Sequence, residues 1–136
     1  MCVGTSDEHL SLIEHLSGLI SRVSCVIVST PQAVALSDAQ KSLSFARAVQ
    51  VRILGLIENM SGYVCPCCGQ LSKVFSMGGG EAMAEREGVR FLGSLPVDTE
   101  LVGVLDGRNV LEEYRATQSA KLFIEIVEKV MGLMAI

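Results

Sequence analysis

The residues best suited to chemistry are cysteines in a short turn segment, Cys65–Gly69, with the sequence CPCCG. Cys65 and Cys68 are separated by two residues, and such a pair in a tight turn lets two thiolates reach one metal. A four-thiolate site needs two further ligands, yet the cysteines outside this segment, Cys2 and Cys25, are isolated in the sequence. Two chains that contribute one pair each would complete the site on a two-fold axis. Cys65 and Cys68 are therefore predicted to be metal ligands.

Other interpretations of these cysteines remain open. A metal-free turn or an adventitious disulfide also fits the spacing. A thioredoxin-like redox pair is disfavoured, because its first thiol lies at a helix N-terminus whereas residues 71–75 are predicted to be extended. Cys67 could serve as a spare ligand, but a solvent-facing position in the turn is the favoured prediction. Cys25, in an apolar run, is predicted to be part of the core.

Three other segments could hold a ligand. Gly78–Gly80 could form a phosphate nest, but it lacks the Lys-Ser/Thr of a nucleotide loop, and Glu81 would repel an anion. It is predicted to be a hinge or turn. Thr30–Gln32 and Asn59–Met60 each follow a predicted strand, where open parallel sheets bind ligands. Helix capping and chain reversal explain both segments equally well.

The elements that must position these residues alternate between strands and helices. Each predicted strand is almost continuously apolar, which is typical of a parallel sheet covered by helices. The sequence thus predicts an α/β fold, a partial parallel sheet flanked by helices, in one domain over residues 1–136 with a small cysteine-bearing insert at 63–75. The predicted order is a helix capped by Thr5, strand Cys25–Val28, a helix opened by Ser37, strand Ile53–Ile57, helix Glu81–Glu87 ended by Gly88, strand Phe91–Leu95, and helices at 101–105 and 116–134.

Composition excludes several classes of protein. Hydrophobic residues make up 49% of the chain and charged residues 19%, which excludes a disordered tail. The net charge is −4, with no run of basic residues, so nucleic acid is not an expected partner. No apolar stretch has the length of a membrane span, and no secretory signal is recognised, so no membrane partner is expected. A cytoplasmic location is expected, where the five cysteines stay reduced.

Several motifs, taken in order along the chain, carry a family resemblance. They are GTSDEH at 4–9, STPQA at 29–33, ENMSGY at 58–63, CPCC at 65–68, FSMGGGE at 75–81 and FLGSLPVD at 91–98. From Gly4 to about Asp106 the chain resembles the cytosolic iron–sulfur cluster assembly scaffolds, the Mrp-like P-loop ATPases related to MinD. It is most similar to the shorter partner of the eukaryotic hetero-complex. The resemblance implies the C-terminal half of a MinD/Mrp-like P-loop NTPase domain.

The resemblance also implies a function for the cysteine pair. Cys65 and Cys68 would hold a 4Fe–4S cluster that bridges two subunits and is transferred to cytosolic and nuclear apo-proteins. The second subunit would be a copy of the chain or a longer paralogous scaffold subunit, in a homodimer, heterodimer or heterotetramer. A zinc knuckle that mediates protein interactions, without cluster or nucleotide chemistry, is the alternative.

The residues that would contact a nucleotide are implied by the family resemblance alone. Asn59 would lie near the base of ATP, a loop around Pro96 and Asp98 would close over it, and Gly4 would end the switch that senses the terminal phosphate. The family's Walker A loop and its lysines, however, lie upstream of everything present in this sequence. The chain is therefore expected to bind ATP poorly and to have no catalytic residue of its own. Its sheet is expected to lack the strands that flank Cys25–Ser29.

Overall fold

The computed structural model describes residues 7–65, 67–68, 70–72, 78–98, 114–115 and 117–135. The described residues begin with an α-helix and a 3-10 helix. Strands and helices then alternate, except that two strands follow one another at the cysteine segment. The elements are α1 (Asp7–Leu16), the 3-10 helix (Ser17–Arg22), β1 (Ser24–Ser29), α2 (Ala33–Ala48), β2 (Arg52–Val64), β3 (Leu71–Ser72), α3 (Gly79–Arg86), β4 (Phe91–Val97) and α4 (Gln118–Met134). None of the helices in these residues is long and apolar enough to span a lipid bilayer.

The long strand β2 forms the centre of the sheet. It pairs in parallel with β1 on one side and with β4 on the other, and its last two residues pair antiparallel with β3. The three predicted parallel strands and the flanking helices are thus confirmed. β2 continues past its predicted end at Ile57 to Val64, because Asn59 and Tyr63 still pair with β4 and the last two residues also pair with β3 in a hairpin.

The core lies between the sheet and the helices α2 and α3. Leu43 of α2, Leu56 of β2 and Met83 of α3 are almost fully buried in one cluster with Ile27. On α4, Ile126 is buried and approaches Gly93 of β4 so closely that a Cβ at position 93 would lie 2.8 Å from the Ile126 Cγ1 atom. The helices that make these contacts exclude water from the central strand β2. Strands that are almost continuously apolar require such cover by helices.

Two helix starts differ from the predictions. α2 begins at Ala33 rather than at Ser37, and Gln32 caps it through its backbone without a side-chain hydrogen bond. Leu36, in the added first turn, packs against the core cluster, so burial outweighs the capping signal at Ser37. α4 begins at Gln118, where the Thr117 Oγ1 atom accepts a hydrogen bond of 3.2 Å from the Ala120 N–H.

The end of α3 agrees with the sequence. Gly88 follows the helix in the left-handed region at φ 65°, and its N–H donates to the Glu85 carbonyl oxygen. The predicted cap at Thr5 and the predicted helix at 101–105 lie outside the described residues.

Candidate metal and nucleotide sites

The cysteine loop is the tip of a hairpin. The end of β2 pairs with β3, and the next backbone hydrogen bond, from the Cys65 N–H to the Gln70 carbonyl oxygen, measures 3.0 Å. This bond closes the loop between the two residues and holds its cysteines beyond the edge of the sheet. The short pairing of β2 with β3 places the cysteine loop at the end of β2, within the insert predicted at 63–75.

Backbone N–H groups point at the sulfur of Cys65. The Cys67 N–H donates to it, the Cys68 N–H donates as well, and the Cys68 thiol lies within hydrogen-bonding reach. These contacts lower the pKa of the Cys65 thiol below the ordinary value of 9.0, because each donor stabilises the thiolate. The thiolate is the form of cysteine that binds metals. The loop therefore favours the metal-binding form of its first cysteine before any metal arrives.

Cys67 and Cys68 are both exposed, whereas Cys65 is partly buried. The predicted solvent-facing position of Cys67 is confirmed, but its thiol also reaches the Cys65 sulfur, which the sequence did not indicate. The three cysteines do not form a three-ligand site: in the described part of the chain, no group of three or more His, Cys, Asp or Glu residues is arranged to hold a metal.

Cys25 lies far from this loop. It pairs with Ile53 near the start of β2, whereas Cys65 follows the end of that strand. Cys25 is partly buried, as predicted, and packs against the core cluster. Burial raises the pKa of its thiol, so it stays protonated and unsuited to binding a metal. Cys2 and Gly4 lie outside the described residues.

Two of the residues expected to contact a nucleotide, Asn59 and Pro96, lie at the same end of the sheet, near the carboxyl ends of β2 and β4. Asn59 of β2 pairs with Leu95 of β4, and Pro96 is the next residue along β4. Met60 has a left-handed backbone at φ 57°, and the β2–β4 register shifts between Asn59 and Tyr63. The strand is thus distorted at the point where parallel sheets bind ligands.

The side chains at this edge have different partners. Asn59 lines a small cavity of about 270 Å³ together with Thr30 and Asp38, between β1, β2 and α2. Asp98 instead accepts a hydrogen bond of 2.5 Å from the Ser119 hydroxyl, in the first turn of α4. Burial and the nearby Asp98 charge both raise the pKa of Tyr114. The structure therefore brings Asn59 and Pro96 to one edge but directs Asp98 toward α4.

A buried carboxylate at the start of α3 was missed by the sequence reasoning. Glu58 is only 2% exposed, and its Oε2 atom accepts a hydrogen bond of 2.6 Å from the Gly80 N–H. This carboxylate occupies the N-terminal end of α3, where a phosphate nest would lie. Gly78, at φ 77°, turns the chain into the helix, as expected of a turn. The only signal in the sequence was an acidic residue at the end of an apolar strand.

Comparisons with known proteins identify relatives of this chain. The chain matches the ParA family model described as NUBPL iron-transfer P-loop NTPase over residues 1–131. It is 54% identical over 103 residues to the cytosolic Fe-S cluster assembly factor CFD1 of Mycosarcoma maydis, covering 76% of this chain and 28% of that protein. It is 43% identical over 130 residues to the cytosolic Fe-S cluster assembly factor NUBP2 of Bos taurus, covering 95% and 48%.

Solved structures show the same fold. A nucleotide-binding protein from Archaeoglobus fulgidus, in complex with ADP, matches with a TM-score of 0.54 and 32% identity, covering 65% of this chain and 36% of that protein. The cell division ATPase MinD of Pyrococcus furiosus matches with a TM-score of 0.59 and 21% identity, covering 87% and 46%. The chain spans less than half the length of each of these four proteins. With nearly all of its residues matched by the family model, it belongs to the NUBPL iron-transfer family of P-loop NTPases.

Proposed function

We propose that this chain carries the cluster-binding part of a cytosolic iron–sulfur cluster assembly scaffold. The observation that carries the proposal is the Cys65 sulfur, which accepts backbone hydrogen bonds inside a loop that also presents Cys68. The names of the CFD1 and NUBP2 relatives support iron–sulfur assembly in the cytosol. The cargo is a 4Fe–4S cluster, which the scaffold holds and passes to apo-proteins.

The chain's own residues do three things for this cargo. Cys65 and Cys68 supply two thiolates, which is half of the four that such a cluster takes. The N–H groups that donate to Cys65 offset the negative charge of its sulfur. The exposure of Cys68 leaves the loop accessible to a second subunit, which would supply the other pair. That subunit is a second copy of this chain or a longer paralogous scaffold subunit.

Nucleotide binding is proposed only for the complete domain of the family, in which other segments accompany the residues of this chain. Asn59, Pro96 and Asp98, with Gly4, are proposed to lie around a nucleotide in the complete domain. The 136 residues contain no Walker A sequence, whose backbone and lysine neutralise the phosphates of ATP. We therefore assign no catalytic residue to this chain.

A zinc knuckle that mediates protein interactions is the second candidate function. The observation in its favour is the same hydrogen-bonded pair of cysteines, because Zn²⁺ also takes cysteine thiolates as ligands. The two candidates differ in sulfide content and colour: an iron–sulfur cluster contains acid-labile sulfide and absorbs visible light, whereas a zinc site is colourless.

Anaerobic reconstitution with iron and sulfide tests the ligand assignment. We expect a brown protein with about two irons and two sulfides per chain, which is one 4Fe–4S cluster per two chains. Cys65→Ser and Cys68→Ser should each abolish the cluster, because each removes two of four ligands from a symmetric site. Cys67→Ser is the matched control and should keep most of it. Loss of the cluster in Cys67→Ser but not in Cys65→Ser, or a colourless protein with one zinc per chain, would contradict the proposal.

A further inference from the structure

Cys67 is the thiol of the cysteine loop that the proposed cluster site does not use. The loop contains Cys65, Cys67 and Cys68, and the proposed site takes only the first and the last of them as ligands. Cys67 is exposed, so molecules dissolved in water reach its side chain directly. Its thiol therefore remains available for a reaction with a small molecule.

Cys67 also lies against the sulfur of Cys65. The Cys67 thiol is within hydrogen-bonding reach of that sulfur, and so is the Cys68 thiol. The hydrogen bond from the Cys65 N–H to the Gln70 carbonyl oxygen, at 3.0 Å, closes the loop around these groups. Disulfides form and break by attack of one sulfur on another, so sulfur atoms held in contact exchange more readily than separate ones. The partly buried Cys65 thus has an exposed neighbour through which a reagent can act on it.

We propose that the cysteine loop is a thiol–disulfide exchange site for small disulfides such as glutathione disulfide, in which Cys67 is the entry thiol and Cys65 closes an internal disulfide. The Cys67 thiolate attacks one sulfur of glutathione disulfide, the bond between its sulfur atoms breaks, and one glutathione leaves as a thiolate. The Cys65 thiolate then attacks the Cys67 sulfur and releases the second glutathione. The two cysteines lose a pair of electrons to glutathione disulfide, and their protons end on the two glutathione thiols.

This exchange closes the loop to metal. The thiolate is the metal-binding form of cysteine, and a sulfur in a disulfide is no longer a thiolate. Excess reduced glutathione reverses both steps and reopens the loop. Cys68 also contacts the Cys65 sulfur and competes with Cys67 for it, so the route through Cys67 is isolated by replacing Cys68. The inference goes beyond the proposed function, because it concerns the metal-free loop whatever its cargo is.

Incubation of the full, metal-free Cys68→Ser chain with glutathione disulfide tests the proposal. Free thiols are then blocked with N-ethylmaleimide, and trypsin releases both remaining loop cysteines in one peptide, residues 53–73. We expect this peptide to carry no blocking group and to lack a pair of hydrogens, which marks an internal disulfide. Excess reduced glutathione should restore both thiols. A peptide that stays fully reduced, or one that keeps glutathione on Cys67 without closing, overturns the proposal.

The chain with both Cys67→Ser and Cys68→Ser is the matched control for the entry thiol. It keeps Cys65 but loses both exposed thiols of the loop. We expect Cys65 to be oxidised about tenfold more slowly in this chain than in Cys68→Ser, because glutathione disulfide has to reach the partly buried sulfur directly. Oxidation of Cys65 at the same rate in both chains overturns the role of Cys67.

Cys25 reports in each sample whether the chain is folded. It packs against the core cluster, so glutathione disulfide should leave it unmodified. If Cys25 reacts in a variant, the wild-type chain decides: fragmentation of its loop peptide should locate part of the disulfide between Cys65 and Cys67, and a disulfide found only elsewhere overturns the proposal. A chain that takes up a cluster but fails these tests overturns this inference alone, since none of them involves metal.

Discussion

At the scale of single residues, the backbone around a cysteine decides what its thiol can do. Cys65 and Cys25 have the same side chain, but N–H groups donate to one sulfur while apolar neighbours surround the other. The hydrogen bonds lower the pKa of Cys65, and burial raises the pKa of Cys25. One thiol is therefore suited to binding metal, and the other is suited to packing.

Alkylation by iodoacetamide measures this difference in the metal-free chain. The thiolate is the nucleophile, so each cysteine should react at half its maximal rate when the pH equals its pKa. We expect the alkylation rate of Cys65 to reach half its maximum below pH 9.0 and that of Cys25 above pH 9.0. As the pH falls, a thiol with a lowered pKa remains a thiolate for longer, whereas a thiol with a raised pKa is protonated sooner. Mass spectrometry of digested samples over a pH series gives both midpoints. In urea they should converge; equal midpoints in the folded chain, or the reverse order, would contradict the assignment.

The sequence predicted the cysteine pair but not all of its surroundings. The spacing of Cys65 and Cys68, with a proline and a glycine in the turn, predicts a ligand pair, and this assignment stays a prediction. The thiol contact of Cys67 depends on the path of the backbone through the loop, which no spacing rule encodes. Glu58 was missed for a related reason, since its hydrogen bond to Gly80 joins residues 22 positions apart.

At the scale of elements, β2 and α3 pack closely at Gly80. The hydrogen bond from the Gly80 N–H to the Glu58 carboxylate joins α3 to β2, the two elements on either side of the cysteine hairpin. A Cβ at position 80 would lie 2.9 Å from the Glu58 Oε2 atom and 3.2 Å from the Leu56 Cδ2 atom. Only glycine allows this approach.

Replacing this glycine should destabilise the chain. Gly80→Ala forces a methyl group against buried atoms, and we expect it to lower the free energy of unfolding by about 1–3 kcal/mol. Gly132→Ala is the matched control, because position 132 lies in α4 with no atom within 4 Å of a new Cβ. That change should raise the free energy of unfolding by about 0.5–1 kcal/mol through helix propensity. Urea unfolding followed by circular dichroism compares them; a Gly80→Ala variant as stable as the wild type would contradict the packing described here.

Element boundaries show the limit of local signals. The periodic apolar pattern located all three parallel strands and the helices between them. The capping signal at Ser37 was wrong by one helical turn, because burial of Leu36 favours a helix from Ala33 onward. The length of β2 could not be predicted from local signals, since its last two residues pair with β3 across the cysteine loop.

At the scale of the whole molecule, large apolar side chains of the described residues are exposed on both a strand and a helix. Val28 on β1 is exposed, and so are large apolar side chains of α4: Phe123, Ile124, Val127, Met131 and Met134. Exposed apolar areas of this kind usually mark contacts with other polypeptides. The family resemblance predicts that the sheet lacks the strands that flank Cys25–Ser29. In the described residues β1 pairs with β2 alone, and the incompleteness of the sheet stays a prediction.

The central claim is that two chains share one cluster through Cys65 and Cys68. Native mass spectrometry of the anaerobically reconstituted wild-type chain tests it most directly, because one spectrum reports both the number of chains and the mass of the cargo. The account predicts a species of two chains with a single 4Fe–4S cluster, and loss of the cluster should accompany separation of the chains. A single chain that retains a complete cluster, or a single chain with one zinc ion, would contradict it.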